Sequence, residues 1–290
     1  MRLRNVLLAS FTILGAVSLS ACEENPVPSG SETQEVTLTT DGVLVVGMEC
    51  AYAPFNWTET TQTETNVPIA NLPGAYAEGY DVQVAKILAE ELGLQLQIKA
   101  LEWGALINNL NTGLIDCIIA GMSPTEERMQ SIDFTEKYYE STHVLLLKKT
   151  SEYASANSLS GFAGATVIGQ TGTIYADLVS QAVAAGAVAG TNLSTVPHIV
   201  NAIVNDIADA TILEEPVAMG ICSQYPELTY VKLTQGGFEV ADEDKIVSIG
   251  VRKGFTLTTQ INEVLSSKLT ESTRATLMEQ AIANAPASEE

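Results

Sequence analysis

The chain has 290 residues, of which 46% are hydrophobic, and its 35 acidic residues outnumber its 14 basic ones to give a formal charge of −21. So acidic a chain has few of the Lys and Arg residues that neutralise phosphates, which argues strongly against nucleic-acid binding and against adsorption to anionic lipid. The acidity is compatible with a cationic ligand and equally with a plain solubility role.

The first 21 residues are predicted to be a signal peptide. Arg2 and Arg4 precede an apolar run over residues 6–17 that is too short to span a membrane as a mature helix. Leu19-Ser20-Ala21-Cys22 resembles a bacterial lipobox, at which the peptide is cut before a cysteine that then carries diacylglycerol. An ordinary secretory signal with a chance cysteine is the alternative. Export is expected either way, and lipidation of Cys22 would hold the protein at the outer face of the cell membrane.

Residues 22–40 are rich in Glu, Pro, Ser, Thr and Gly, which predicts a flexible tether. Beyond it lie Cys50, Cys117 and Cys222, whose spacing fits neither a zinc site nor a CxxC redox pair. They are interpreted as buried free thiols, with a single disulfide involving Cys50 as the alternative. The two histidines lie outside any metal-ligand spacing, so no metal site is predicted.

Alternating apolar runs and amphipathic periods predict an α/β fold built from two successive β-α-β-α-β-α sets. The first set has strands at 43–48, 96–100 and 115–121 and helices at 81–92, 103–111 and from 123; the second has strands at 165–169, 194–197 and 209–213 and helices at 175–184, 199–205 and 217–223. A strand at 143–149 precedes the second set, residues 58–78 are a predicted hairpin or surface loop, and a strand at 246–251 with helices at 257–268 and 271–283 closes the chain. This order predicts parallel sheets in two lobes, with strand ends facing one another across a cleft. The predicted first lobe is 41–140 plus 241–285, and the second is 141–240.

The stretch Asp116–Arg128, which reads DCIIAGMSPTEER, combines a buried strand with a helix start. Ser123 fits the N-cap, Pro124 the first helical position and Glu126 the third, as in a capping box. The exposed N–H groups of such a helix start attract an anion, and Arg128, one turn further, suits a carboxylate through two parallel hydrogen bonds. The alternative is a capped surface helix in which Arg128 pairs with Glu126 or Glu127.

A second polar turn, Thr171-Gly172-Thr173, precedes a helix in the other predicted lobe. Two such turns that converge on one anion would clamp it, and Glu214, at the end of a strand, could meet an ammonium group. Together these charges match the zwitterion of an α-amino acid. The chain shows no GxSxG, HExxH, Walker or GxGxxG motif, so enzymatic templates fit poorly.

Several segments resemble one family in their order along the chain. These are YAPFNW, GYDVQVAKILAEELG, the run from DCIIAGMSPTEER to IDFTEKYYE, GQTGT and DATILEEP. Over about residues 42–285 the chain is similar to the polar amino-acid group of ABC-transporter substrate-binding proteins, extracellular solute-binding family 3. The resemblance implies a two-lobed, periplasmic-binding-protein-like (type II) "Venus flytrap" fold with a two-strand hinge. It further implies a monomeric, lipid-anchored receptor without cofactor, which is not an enzyme and delivers an amino acid to an ABC permease and its ATPase.

The resemblance also implies roles for individual residues. Arg128 would take the ligand α-carboxylate with Ser123 and Thr173, while Gly121 and Ser123 would contact the α-ammonium. Glu214 stands where the family commonly has Asp, so it keeps the charge with a reach longer by one methylene.

Three further residues match family positions that line the ligand. Tyr52 and Trp103 match side chains that flank it, and Glu49 matches a position that is acidic in binders of basic amino acids. Ile174 stands at a position where the family often has a polar residue. The resemblance implies no role for Trp57. The alternatives are that Trp103 and Tyr52 only pack and that Glu49 is a solvated loop carboxylate.

Two other functions stay open at this point. One is an enzyme on the same scaffold, such as a dehydratase, with Glu49 or Glu214 as acid or base. The other is a ligand sensor that docks on a membrane signalling partner. Among ligands, arginine, lysine and histidine are favoured through Glu49, whereas glutamine or cystine would satisfy the same clamp.

Overall fold

A computed structural model describes residues 36–286. The predicted signal peptide, the lipidation site Cys22 and most of the predicted tether lie outside the described residues. The last part of that tether lies against the folded body: Val36 bridges to Phe255, and the Thr39 N–H donates to Asp116 Oδ1 at 2.7 Å. The folded body therefore begins before residue 41, because the apolar Val36 and Leu38 pack on the core.

Fourteen strands and eight α-helices make up the described residues. The strands are β1 Val43–Met48, β2 Ala51–Tyr52, β3 Asn56–Glu59, β4 Val67–Pro68, β5 Tyr76–Glu78, β6 Gln95–Ala100, β7 Cys117–Ile118, β8 Asp133–Glu140, β9 His143–Lys148, β10 Thr166–Ile168, β11 Val188–Ala189, β12 Ala210–Glu214, β13 Leu228–Val231 and β14 Ile246–Val251. The helices are α1 Tyr80–Glu91, α2 Leu106–Asn111, α3 Glu126–Ser131, α4 Ile174–Ala184, α5 Val196–Val204, α6 Glu215–Gln224, α7 Thr258–Lys268 and α8 Glu271–Asn284. Single 3₁₀ turns occur at Trp103–Ala105, Glu152–Ser155, Leu159–Phe162 and Asp242–Lys245.

Two five-stranded sheets form the centres of two lobes. Their strand orders are β6-β1-β7-β14-β8 and β11-β10-β12-β9-β13. The prediction of two α/β lobes is confirmed, but the expectation of purely parallel sheets is wrong. β1 pairs in parallel with β6 and β7, whereas β14 is antiparallel to β7 and β8, and β9 is antiparallel to β12 and β13. The antiparallel strands are those that carry the chain into the second lobe and back.

The chain passes between the sheets twice, at residues 141–142 and at residues 232–245. The two crossings touch where the Ser141 N–H donates to the Lys245 carbonyl at 3.0 Å. A third, small sheet of order β2-β3-β5-β4 contains the predicted hairpin or loop at 58–78. It lies beside the first sheet, since Ile69 bridges to Ile98 of β6.

Strand β9 shows why the apolar runs of this chain lack a two-residue alternation. Val144 and Leu146 belong to the core that continues into the first lobe, while Leu145 and Leu147 belong to a second core beneath α4. Both faces of the strand are thus buried, which demands a continuous apolar sequence.

The second lobe differs from the predicted elements in three places. The strand predicted at 194–197 is wrong: Thr195 accepts a hydrogen bond from the His198 N–H and caps α5, so Val196 and Pro197 form its first turn. The strand at this edge of the second sheet is instead the exposed β11. Strand β13, at the opposite edge, was not predicted. Both are short and carry little apolar pattern.

Cys50, Cys117 and Cys222 are free thiols. Across residues 36–286, no helix combines the length and the hydropathy that crossing a membrane requires.

Candidate ligand-binding site

The chain folds back tightly after β7, which brings Gly121 against an aromatic ring. Gly121 has φ +62°, and a Cβ at this position would lie 3.1 Å from Cε1 of Tyr52. The Gly121 N–H donates to the Tyr138 hydroxyl at 2.9 Å. Glycine is therefore needed both for the left-handed backbone and for the approach of Tyr52.

Helix α3 begins two residues later than predicted. Thr125, not Ser123, is the N-cap, and its side chain accepts from the Arg128 N–H at 3.3 Å. The prediction of Ser123 as the cap is wrong because Pro124 lies before the helix, in a tight turn closed by a hydrogen bond from the Thr125 N–H to the Ser123 carbonyl at 3.0 Å. Ser123 instead points its Oγ toward the Asp244 carbonyl at 3.4 Å, and its own carbonyl accepts from Arg128 Nη1 at 2.8 Å.

Arg128 and Trp103 reach across from the first lobe to the same atom of the second. The indole Nε1 of Trp103 donates to the Gly172 carbonyl at 2.8 Å, and Arg128 Nη2 lies 3.4 Å from that oxygen. The guanidinium carbon is 5.2 Å from the centre of the Trp103 ring, a cation–π arrangement. Within the described residues Arg128 forms no salt bridge with Glu126 or Glu127, so the surface-pair alternative is not what the structure has.

The second lobe contributes the turn that opens α4. Thr173 is the N-cap: its hydroxyl accepts from the Tyr175 N–H at 3.2 Å and donates to the Gln170 carbonyl at 2.7 Å. The Gln170 side chain then crosses to the first lobe, where its Nε2 lies 3.0 and 3.1 Å from the two carboxylate oxygens of Glu49.

Two carboxyl groups in this region are removed from water. Glu214, at the end of β12, is 4% exposed and accepts a hydrogen bond from the Tyr52 hydroxyl. Burial raises the pKa of Glu214 to about 8. Burial also raises the pKa of Glu49 to about 7, opposed by the hydrogen bond from Gln170 and assisted by the nearby Glu102. Both pKa values are close to neutral pH, so contact with a charged ligand can change the ionisation of either group.

A single small cavity gathers the predicted site. Its walls are Glu49, Tyr52, Trp103, Gly121, Ser123, Arg128, Gln170, Thr173, Ile174 and Tyr175. Seven of the eight predicted ligand residues are in this set, and the eighth, Glu214, adjoins it through Tyr52. The cavity volume is ≈ 20 Å³, which is room for about one water. An amino acid needs more room than this, so the cavity has to widen before it can hold one.

A wider cavity of ≈ 820 Å³ continues outward from Trp103 and Arg128. Acidic side chains dominate its walls: Glu126, Glu127, Asp177, Glu239, Glu243 and Asp244. Arg128 is the only Lys or Arg side chain in the described lining. This opening gives the small cavity a negatively charged approach from solvent.

Sequence reasoning missed Gln170 and Tyr175 as wall residues. Gln170 lay inside the recognised GQTGT segment, but only the fold shows that it faces Glu49. Trp57, to which no role was assigned, lies elsewhere and donates to Glu59 at 2.7 Å. Within residues 36–286 no group of His, Cys, Asp and Glu side chains is placed to hold a metal ion.

The chain is similar to known proteins along most of its length. The profile of the bacterial extracellular solute-binding proteins, family 3, matches residues 44–283, and the chain belongs to that family. The arginine-binding extracellular protein ArtP of Bacillus subtilis (strain 168) is 28% identical over 251 residues, which cover 86% of each chain.

Two solved structures are similar over most of their length. An L-arginine-bound amino acid ABC transporter substrate-binding protein of Streptococcus pneumoniae has a TM-score of 0.70 and 26% identity, covering 83% of this chain and 94% of that one. An ancestral arginine-binding protein bound to glutamine has a TM-score of 0.67 and 26% identity, covering 83% and 98%. The predicted type II fold, with two lobes joined by a two-strand hinge, is confirmed. All three of these proteins are named as binding proteins.

Proposed function

We propose that this protein is the receptor of an amino-acid ABC transporter and binds an amino acid between its two lobes. The observation that carries this proposal is that Arg128 of one lobe lines the small cavity, while Glu214 of the other lobe adjoins it through the hydrogen bond from Tyr52. A guanidinium in the cavity wall and a carboxylate beside the cavity match the two charges of a zwitterion.

The first half of the clamp would hold the ligand α-carboxylate. Arg128 supplies two N–H groups that now donate to the carbonyls of Ser123 and Gly172, and a carboxylate is a stronger acceptor for both. Burial lowers the pKa of Arg128 without removing its charge, since guanidinium groups stay protonated in proteins. Ser123 and Thr173 lie in the same walls and would add hydroxyl donors if their present bonds to the Asp244 and Gln170 carbonyls were exchanged for bonds to the ligand.

The second half would hold the α-ammonium. Burial favours the neutral form of the Glu214 carboxyl group, and a cation beside it would stabilise the ionised form. Tyr52 shares that carboxylate, and Gly121 leaves the space in which Tyr52 lies. Trp103 would cover the ligand on the side of the wider opening.

We further propose a basic ligand side chain, with Glu49 as its partner. Support comes from one relative named as arginine-binding, from another solved with L-arginine bound, and from the acidic walls of the outer opening, which would attract a cation. Glutamine is the alternative ligand, because a solved relative holds it. The enzyme alternative is not favoured, since the similar proteins are named for binding.

Binding would act through hinge closure. The ligand touches both lobes and so favours the closed arrangement by its difference in affinity for the two states. We propose that the closed monomer delivers the amino acid to a permease and its ATPase, and that lipid on Cys22 keeps it at the outer face of the membrane. The lobes proposed for this motion are 41–140 plus 241–285 and 141–240.

Isothermal titration calorimetry against the twenty amino acids tests the proposal. Because bound amino acid is carried through purification by tight binders, the protein is unfolded, dialysed and refolded first. We expect micromolar or tighter binding of at least one basic amino acid. Absence of binding by all twenty, in protein with an unchanged circular dichroism spectrum, would contradict the proposal.

A further inference from the structure

The side-chain amide of Gln170 joins the two lobes at the position of Glu49. Gln170 is 3% exposed, and its Nε2 lies 3.0 Å from Glu49 Oε1 and 3.1 Å from Oε2. The same nitrogen is 3.0 Å from the Ser194 carbonyl, which belongs to the second lobe, as Gln170 does. Gln170 is therefore anchored in its own lobe and meets Glu49 only when the lobes come together.

When the cleft is closed, the ionised form of the Glu49 carboxyl group is disfavoured. Its carboxylate loses water, and Glu102 adds a second negative charge nearby. Cys50 beside it adds no further negative charge, because burial raises the pKa of that thiol to about 12 and keeps it neutral. Gln170 is the group that favours the ionised form of Glu49.

The contact with Gln170 leaves Glu49 free to accept further hydrogen bonds. A carboxylate has about four lone-pair positions, and the single nitrogen of Gln170 is nearly equidistant from the two oxygens. It therefore lies between them, and the outer lone pair of each oxygen stays available. A ligand cation can pair with Glu49 while Gln170 stays in place.

We propose that Gln170 is a positioning residue for charge selectivity: it holds the Glu49 carboxylate ionised and oriented as the cleft closes, so that the site prefers a cationic side chain. The inference rests on the proposed function, of which it deepens the specificity. Gln170 acts on the ligand only through Glu49. Its removal is therefore expected to change the preference between ligands as well as overall affinity.

The test compares the affinities for L-arginine and L-glutamine in Gln170→Met, which keeps the length of the side chain and removes its donor. At pH 7 we expect the arginine-to-glutamine affinity ratio to fall at least tenfold, because Glu49 would then hold its proton more tightly. At pH 8.5 the ratio should return to within about threefold of the wild-type value, since the carboxylate ionises again while arginine keeps its charge. A purely structural role would produce no such recovery.

Gln83→Met is the matched control. Gln83 also donates from Nε2 to a carboxylate and a carbonyl, at 3.1 Å from Glu78 Oε1 and 3.0 Å from the Thr65 carbonyl, but it lies outside the cleft. The arginine-to-glutamine affinity ratio of Gln83→Met should equal that of the wild type at both pH values. In a Glu49→Gln background, Gln170→Met should leave the ratio unchanged, because the group on which it acts is gone.

Three results would overturn the inference. These are an unchanged ratio in Gln170→Met, a reduced ratio that does not recover at pH 8.5, and a full effect in the Glu49→Gln background. In each of them the wild-type protein still binds amino acids, so the proposed function survives. Failure of the wild-type protein to bind either ligand would instead remove the proposed function and this inference with it.

Discussion

The Tyr52 hydroxyl donates a hydrogen bond to the Glu214 carboxylate and so connects strand β2 of the first lobe with the end of β12 in the second. Glu214 is buried, and Tyr52 connects its carboxylate to the cavity beside which the ligand ammonium is proposed to lie.

The first prediction concerns the charge of Glu214. Glu214→Gln keeps the shape and the bond from Tyr52 but removes the partner of the ligand ammonium. A hydrogen bond to a charged group contributes about 1.5–3 kcal/mol, so amino-acid affinity should fall roughly 10- to 100-fold in calorimetry. Glu215→Gln is the neighbouring control: its carboxylate pairs with Lys232 and accepts from the Thr142 and Tyr230 hydroxyls outside the cavity, so affinity should change less than about threefold. Equal affinities in the two variants would place the ammonium elsewhere.

The second prediction is that the protein loses stability as pH rises. Burial raises the pKa of Glu49 and Asp81 to about 7 and of Glu214 to about 8 in the folded protein. The folded state thus binds more protons than the unfolded state above about pH 4, and the free energy of unfolding decreases with pH in that window. The contribution is complete below the unfolded pKa values and is lost as pH rises through 7 to 8.

Thermal unfolding without ligand at pH 5.5 and 8.5 measures this effect. The midpoint should be lower at pH 8.5, by about 2–4 °C for every 1 kcal/mol lost. Glu214→Gln should reduce the difference because it removes one of the titrating groups, whereas Glu126→Gln, at an exposed position, should not. A midpoint that rises between these pH values would contradict the prediction.

The sequence was informative about the site wherever a residue type had one physical use. The turn at Gly121, the position of Arg128 and the strand end at Glu214 were all predicted, because positive φ, paired N–H donors and an end-of-strand carboxylate each leave a pattern in the chain. Gln170 was not predicted. An amide is equally common on surfaces, and only the closure of the cleft sets it against Glu49.

Strand directions and helix starts likewise depend partly on the local sequence and partly on the fold. The apolar run of β9 predicted a buried strand, but its antiparallel pairing with β12 depends on how the chain crosses between the lobes. At α3, Ser123 and Thr125 both suit an N-cap, and the local sequence does not distinguish them. The structure uses Thr125, which frees the Ser123 carbonyl to bond Arg128.

The third prediction separates the charge of Arg128 from its shape. Arg128→Ala should reduce amino-acid affinity by roughly 10²- to 10⁴-fold, since two hydrogen bonds to a carboxylate contribute about 3–6 kcal/mol together. Arg128→Lys should recover only part of this, because an ammonium cannot make the parallel pair of bonds. Arg274→Lys, whose guanidinium donates to the Lys137 carbonyl outside the cleft, should bind as the wild type does. Retained affinity in Arg128→Ala would show that the carboxylate is held by other groups.

The fourth prediction concerns stability away from the site. Arg252 lies 3.4 Å from the fully buried Asp116 and donates to the Thr37 carbonyl at 2.8 Å, while Asp116 accepts from the Thr39 N–H. Arg252→Met leaves the Asp116 charge buried without its cation, which costs about 3–5 kcal/mol in such pairs. Urea unfolding at pH 7 should show that loss, together with faster amide exchange at Thr39.

Lys268→Met provides the contrast to Arg252→Met. Lys268 pairs with Glu91 at 2.7 Å on the surface, where an ion pair contributes less than about 1 kcal/mol. Ligand affinity, measured under conditions where both variants are fully folded, should stay within about twofold of the wild type, because neither residue lines the cavity. If Arg252→Met unfolds no more easily than Lys268→Met, the buried pair is not what holds residues 37–39 against the first lobe.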